Sequence, residues 1–243
     1  IDWGWAAPGN RPRGARRRAR NAPTLAKPNH YAPSNHRFLI FVLLNKTFLH
    51  SFLIIWGILG LSYAVVGSHE FMHAVQDQRE YWADEFMLYW TQFGEAVTAN
   101  VLFFLLWLSY RKQPAWKRVR KGFLFTVFLA VIIPQGLKLI FADFPRPWTV
   151  FPDAQNIPGL TKSFYKSFPS GHTAFATALA ASWSSLALNK YQYPILMALV
   201  AFGVGYSRIH LHMHWLHDVI AGGLLGILCA YFGLKRAGYS QTS

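Results

Sequence analysis

Six stretches of this chain are apolar for about as long as a membrane is thick, and a chain so built cannot fold as an ordinary water-soluble domain. They run over about residues 47–67, 90–109, 121–142, 172–188, 193–209 and 215–234. Each comes near the roughly 20 residues that cross about 30 Å of hydrocarbon at about 1.5 Å per residue. Inside lipid the backbone must satisfy its own hydrogen bonds, so such segments are helices. The fourth and fifth are slightly short, a mismatch that tilting or local thinning absorbs. Composition agrees: 53% of residues are hydrophobic and 14% charged, against roughly 25% charged in soluble domains. The expectation is an all-α fold, a six-transmembrane-helix bundle over 37–236, flanked by a tail at 1–36 and a short C-terminal tail at 237–243.

Residues 1–36 contain "RPRGARRRARNAP" and little to bury, so they read as a disordered basic tail, a processed end starting at Ile1 rather than Met. A cleaved signal peptide is the rival reading of the apolar stretch beginning at Phe38, but that stretch is long and lacks an Ala-x-Ala site, so an uncleaved first helix is expected. The single cysteine, Cys229, lies in an apolar run as a small buried hydrophobe.

The formal net charge of +14 would suit nucleic acid, were it not sorted by topology. With the tail cytoplasmic, 68–88 becomes an outer loop carrying Glu70, Asp77, Glu80, Asp84 and Glu85 against one Arg79. The next connection, "RKQPAWKRVRK", and the terminal Lys235 and Arg236 fall inside. This is the positive-inside pattern with both termini cytoplasmic, and it removes most support for a nucleic-acid partner. Trp82, Tyr89, Trp90, Trp148 and Trp215, near span ends, read as interface anchors. Gly222 and Gly226 read as a small-residue face for close helix packing.

The ionisable residues that remain gather at the outer ends: Lys138, Arg146 in "FPRP", the stretch "PSGH" at 169–172, and "SRIHLHMHWLHD" from Ser207 to Asp218. Charges at membrane depth mark either a functional site or a paired structural network. His214 and Asp218, four apart at a predicted helix start, share a face, so the carboxylate can orient the ring and leave the other nitrogen as a nucleophile or base. The same pair could instead merely satisfy itself. Ser170 can cap the next helix and Gly171 lets backbone approach a ligand, which together make an anion site at that helix end. His172, protonated beside a bound phosphate, can donate to a leaving oxygen. Lys138, Arg146 and Arg208 suit an oxyanion clamp, each with snorkelling at a helix end as the plainer role. His210, His214 and His217 would share a face if their helix began early, which resembles metal-ligand spacing. No cysteine is near and the cations would repel a divalent ion, so no metal or cofactor is expected. His210, His212, His217, His69 and His73 are expected to pack at the interface or lie beside substrate, and Glu95 is unexplained beyond pairing with an outer cation.

In this order the residues resemble the type 2 phosphatidic acid phosphatase superfamily, over roughly residues 90–234. Its second motif stands as Pro169 to His172 and its third as Ser207, Arg208, His214 and Asp218. The first motif departs: seven residues rather than the usual six separate Lys138 from Arg146. The resemblance implies a metal-independent membrane lipid phosphatase with its site at the outer, periplasmic interface. His214 would form a phosphohistidine, Asp218 would orient it and His172 would protonate the departing oxygen. Lys138, Arg146, Ser170, Gly171 and Arg208 would hold the phosphoryl group. A bacterial inner membrane is the expected setting. Expected substrates are undecaprenyl diphosphate, phosphatidylglycerol phosphate, phosphatidic acid or a lipid A phosphate. The rivals are a lipid phosphotransferase using the same histidine and a non-catalytic phosphate-lipid binding or transport protein.

Overall fold

The structure, a computed structural model, describes residues 43–151, 157–188 and 191–238. The basic segment 1–36 and the end of the C-terminal tail lie outside the described residues. Those described are helical, without strands. In order come α1 (Lys46–Val66), α2 (Ser68–Asp77), α3 (Tyr81–Trp90), a 3-10 turn (Thr91–Gly94), α4 (Ala96–Tyr110), α5 (Trp116–Ile140), a second 3-10 turn (Pro147–Thr149), α6 (Gly171–Leu186), α7 (Pro194–His210) and α8 (Leu216–Arg236).

Among the described residues, α1, α5 and α8 are each long and apolar enough to cross a membrane. The segment Tyr81–Gly94 and α4 make a fourth if counted as one span, bent by 52°. Glu95 stands at that bend with extended backbone. The helix α7 is apolar but shorter. The helices expose apolar faces, including Ile54, Ile58, Phe128, Ile132, Leu224 and Leu228. A soluble protein does not present apolar surface on this scale, and the chain is an integral membrane protein.

The helix α6 is the axis of the bundle. Every residue from Thr173 to Leu186 is buried, and its sequence, GHTAFATALAASWSSL, is mostly small. Small side chains let neighbouring backbones come close, the packing that substitutes for a hydrophobic drive inside lipid. The glycines of α8 supply the other half of the seam. A Cβ at Gly222 would lie 2.6 Å from the Ser170 carbonyl, and one at Gly226 would meet the carbonyl of Ala174 and the side chain of Thr177. Trp56 of α1 lies flat against Gly223 and donates its indole N–H to the Ile220 carbonyl at 3.2 Å.

Helix direction sorts the two ends. The start of α5 meets the end of α8 at Gly122 and Ala237, and Tyr110 Oη donates to the Leu186 carbonyl at 2.9 Å. That end carries Arg111, Lys112, Lys117, Arg118, Lys235 and Arg236. The opposite end gathers the starts of α4, α6 and α8 and the finishes of α1, α5 and α7.

Two expectations are corrected. Residues 68–88, read as an outer loop, fold into α2 and most of α3. Met72 and Val75 supply α2 with a buried face, and the N–H groups of Ala83 and Asp84 return to the Glu80 carbonyl to start α3. Trp148 and Trp215 are internal rather than interfacial, at 1% and 8% exposure, whereas Trp82 and Tyr89 are exposed. Trp215 is drawn inward because its indole N–H donates to the Pro145 carbonyl at 2.8 Å.

Candidate active site

The first wall of the site is the start of α6. Ser170, extended, caps the helix by accepting from the Thr173 N–H at 3.4 Å. Its own N–H is spent on the Asp218 carbonyl at 3.0 Å. The N–H groups of Gly171 and His172, in the first turn, have no intrahelical partner and face the end where the helix dipole is positive. Lys138, in the last turn of α5, reaches this point: its Nζ lies 3.6 Å from where a Gly171 Cβ would stand. Beyond Lys138 the chain leaves helical geometry at Phe141, and the Phe144 N–H turns back onto the Phe141 carbonyl.

The second wall is the turn between α7 and α8. His212 adopts φ 54°, a left-handed conformation that costs a non-glycine residue about 1–2 kcal/mol. The reversal lets the N–H groups of both Met213 and His214 donate to the Arg208 carbonyl, at 3.0 and 3.1 Å. His214 is thereby tied back to the end of α7. His214 precedes α8 rather than lying on it, and Asp218 sits in the first turn. The His214 Nδ1 to Asp218 Oδ2 distance is 3.6 Å, long for a hydrogen bond, as catalytic contacts often are before substrate arrives. Asp218 is held from the other side. Its Oδ2 accepts from Ser167 Oγ and from the Trp215 N–H at 2.9 Å. Burial pushes the His214 imidazole down to about 3, against the pull of Asp218 and with the help of Arg146 and Arg208. The ring is therefore neutral, with Nδ1 facing the Asp218 carboxylate.

The two arginines are used differently. Arg146, 7% exposed, donates to three carbonyls, those of Tyr165 at 2.8 Å, Met213 at 3.0 Å and Lys166 at 3.3 Å. It clamps the loop before α6 to the turn before α8. Arg208, 5% exposed, donates to Thr91 Oγ1 at 3.1 Å, while its Nε is buried without a partner. His172 feels the charges of Arg208, His214, Lys138 and Arg146 together. Lys138, Arg146, Ser170, Gly171, His172, Arg208, His214 and Asp218 thus come to one end of the bundle, from α5, α6, α7, α8 and the loops between them.

Other expected residues go elsewhere. His210 Nε2 bonds Asp84 Oδ1 at 2.9 Å, and Asp84 also takes Arg79 through Nε at 2.8 Å and NH2 at 3.2 Å. His212 Nε2 faces Gln76 Oε1 at 3.2 Å, and burial, with the nearby Arg79 charge, lowers it to about 4. His217 stays at the site instead: its Nε2 lies 3.3 Å from Asp218 Oδ1, while its Nδ1 meets Ser68 Oγ at 2.9 Å. His69 and His73 pack with Phe151, and His69 stacks on Trp215. His210, His214 and His217 share no helical face, because α7 ends at His210 and α8 begins at Leu216. Among the described residues no group of three or more His, Cys, Asp or Glu side chains converges as a metal site would require. Sequence reasoning missed Ser167, Thr91 and the Arg79–Asp84 pair. Ser167 borders the Pro-Ser-Gly-His stretch and was within reach, whereas the Arg79–Asp84 pair depends on a hairpin read as loop and Thr91 stood at the start of an expected span. Glu95, left unexplained, has Oε1 3.6 Å from His172 Nε2.

Comparison with known proteins gives this arrangement a family. The chain is 32% identical over 142 residues to lipid phosphate phosphatase 1 of Arabidopsis thaliana, a match over 47% of this chain and 43% of that protein. The chain thus spans less than half of that relative's length. Its fold resembles the crystal structure of Aquifex aeolicus LpxE, with a TM-score of 0.56 and 26% identity, covering 68% of this chain and 93% of the other. It also resembles a transmembrane PAP2 type phosphatidylglycerolphosphate phosphatase from Bacillus subtilis, with a TM-score of 0.52 and 22% identity, covering 82% and 95%. The PAP2 superfamily itself is matched over residues 120–241, the half of the chain that holds α5 to α8 and the residues gathered at their ends, and the chain belongs to that superfamily.

Proposed function

We propose that this chain is a membrane lipid phosphatase that works through a phosphohistidine without a metal. His214 Nε2 attacks phosphorus while the bond to the leaving oxygen breaks, and the proton on His172 passes to that oxygen. Water then attacks phosphorus as the phosphorus–nitrogen bond breaks, giving up a proton to His172 and releasing inorganic phosphate and free His214. Asp218 steadies the ring. Lys138, Arg208 and the N–H groups of Gly171 and His172 hold the phosphoryl oxygens, with Ser170 fixing the turn and Arg146 adding charge while it holds the loops. Donors aimed at developing charge in a dry site are the largest common source of rate enhancement.

The observation that carries this reading is a buried donor left over where Lys138, Arg146 and Arg208 surround His214: Arg208 Nε is buried without a hydrogen-bond partner. Buried groups left in this way call for a ligand. An apolar groove of about 430 Å³, lined by Val97, Val101, Leu179, Met197 and Val200, runs up to Glu95 beside the site and suits a lipid chain entering sideways. We further infer six crossings, with the bent Tyr81–Tyr110 segment, α6 and α7 as the remaining spans, the site on the outer face of a bacterial inner membrane, and both termini in the cytoplasm. The basic residues at the opposite end favour this orientation.

A panel of lipid phosphates in detergent, scored for phosphate release by wild type and His214→Ala with and without EDTA, tests the reading. Release that needs His214 and survives EDTA is expected. Release indifferent to His214, or abolished by EDTA and restored by zinc, overturns it. Thiol labelling of a Gln113→Cys variant from the outer side of intact cells would overturn the orientation.

A further inference from the structure

Beside the site lies a second cavity of about 440 Å³, different in character from the apolar groove. The 3-10 turn, α3, the 157–160 segment and Arg208 form its walls, and Glu85, Thr91 and Glu95 supply its polar groups. Asp84, at the back, is already committed to Arg79 and His210. Glu85 and Glu95 are both exposed. Arg208 marks this space as ligand-facing, because its guanidinium is 5% exposed, lines the cavity and leaves Nε unpartnered. The volume is within the range of small-molecule sites.

Glu95 is where the two spaces join, since it lines both the apolar groove and the polar cavity. It also approaches His172 Nε2 to 3.6 Å. The role of this cavity rests on the phosphatase reading. If His172 gives its proton to the leaving oxygen, the part of the substrate attached to that oxygen lies against Glu95. The acyl or prenyl chain has the apolar groove, and the rest of the leaving group faces two carboxylates. Carboxylates accept hydrogen bonds from hydroxyl groups and repel a second phosphate, so like charges brought close disfavour the wrong partner.

We propose that the Glu85–Glu95 cavity is a leaving-group pocket that takes an uncharged, hydroxyl-bearing headgroup of a lipid phosphomonoester and discriminates against lipid diphosphates. Phosphate on a sugar or polyol carried by a lipid is the matching chemistry. A diphosphate fits poorly, because its leaving group is itself an anion placed beside Glu95.

The test compares kcat/KM for phosphate release from three lipids: a glycosyl lipid monophosphate, phosphatidic acid and undecaprenyl diphosphate. Wild type is expected to prefer the glycosyl monophosphate over the diphosphate by about 10-fold or more, with phosphatidic acid between them. Glu95→Gln and Glu85→Gln should each raise the diphosphate-to-monophosphate ratio, by about 10-fold for the first and about 3-fold for the second. Glu85→Gln keeps the test open if Glu95→Gln does not fold. A wild type that handles the diphosphate as well as the glycosyl monophosphate, or ratios that stay within twofold in the folded variants, would overturn the proposal. If no lipid is turned over, the phosphatase reading itself fails. The pocket is then judged by the affinities of the His214→Ala protein, with and without Glu85→Gln, for the same three lipids. Equal affinity for mono- and diphosphate in both proteins overturns it, and a preference for the monophosphate lost with Glu85 sustains it.

Discussion

Two fully buried histidine–aspartate pairs lie near the same end of this bundle, and they are built for opposite ends. In the first, His210 and Asp84 are 2.9 Å apart and Arg79 closes on the same carboxylate at 2.8 Å, so the charges compensate and the carboxylate oxygens are occupied. In the second, His214 and Asp218 stand 3.6 Å apart among Lys138, Arg146 and Arg208, with polar atoms left unpaired. Burial alone does not distinguish a structural pair from a reactive one, since both are buried. Surplus charge does. The first pair pins the α2–α3 hairpin to the end of α7, and the second holds an excess of positive charge that only an anion would neutralise.

Separating the two pairs experimentally is direct. His214→Ala should lower kcat by about 10⁴-fold or more while the protein still folds, and phosphate release from a lipid monophosphate measures it. Asp84→Asn should do the converse. It strands Arg79 beside a neutral partner, costing about 3–5 kcal/mol of stability, read as a lower thermal midpoint in detergent, with kcat per folded molecule within a few-fold of wild type. A fall in kcat as deep as that of His214→Ala would erase the distinction. Arg208→Ala belongs with the first group, with a loss of about 10²–10³-fold in kcat expected from removing one oxyanion donor. Gly222→Ala tests the scaffold beneath both. Its methyl meets the Ser170 carbonyl, and overpacking of this kind costs about 1–3 kcal/mol, visible as a lower midpoint.

The smallest effect concerns pH. The His214 ring in the fold is held down to about 3, below its value of about 6.5 in an unfolded chain. As pH falls below the unfolded value the unfolded state binds the proton first, so this group's contribution is present above that pH and is lost toward the folded value. Melts at pH 7 and pH 5 should show wild type losing more of its midpoint than His214→Gln. Nitrogen-15 spectra should show a neutral His214 ring at pH 5, and an imidazolium there would contradict its burial.

Much of this site could be read in the sequence because its residues are chemically conspicuous. A lysine, two arginines and two imidazoles at apolar segment ends have few reasons to be there, and all five come to one end of the bundle. The span pattern fared unevenly for a physical reason. Helices α1 and α5 face outward and must be greasy, and α8 keeps an outward apolar strip, whereas α6 is enclosed by its neighbours and can be built of alanine, serine and threonine, which weakens its apolar signal. The α2–α3 hairpin stayed hidden because its charges looked like solvated loop, although Asp84 is buried by partners more than a hundred residues away in His210 and five away in Arg79. Trp148 and Trp215 misled for a related reason, since indole suits an interface and a hydrogen-bonded interior alike. His212 gave no sign of its left-handed backbone, which only the closure of the α7–α8 turn imposes.

The seam between α6 and α8 has one more consequence. Two missing methyl groups, at Gly222 and Gly226, fix how far one helix slides along the other, and that offset decides whether Ser170 and Asp218 arrive level with each other. The level at which Ser170 and Asp218 meet is therefore stored one and two turns along α8 from Asp218, in residues without side chains.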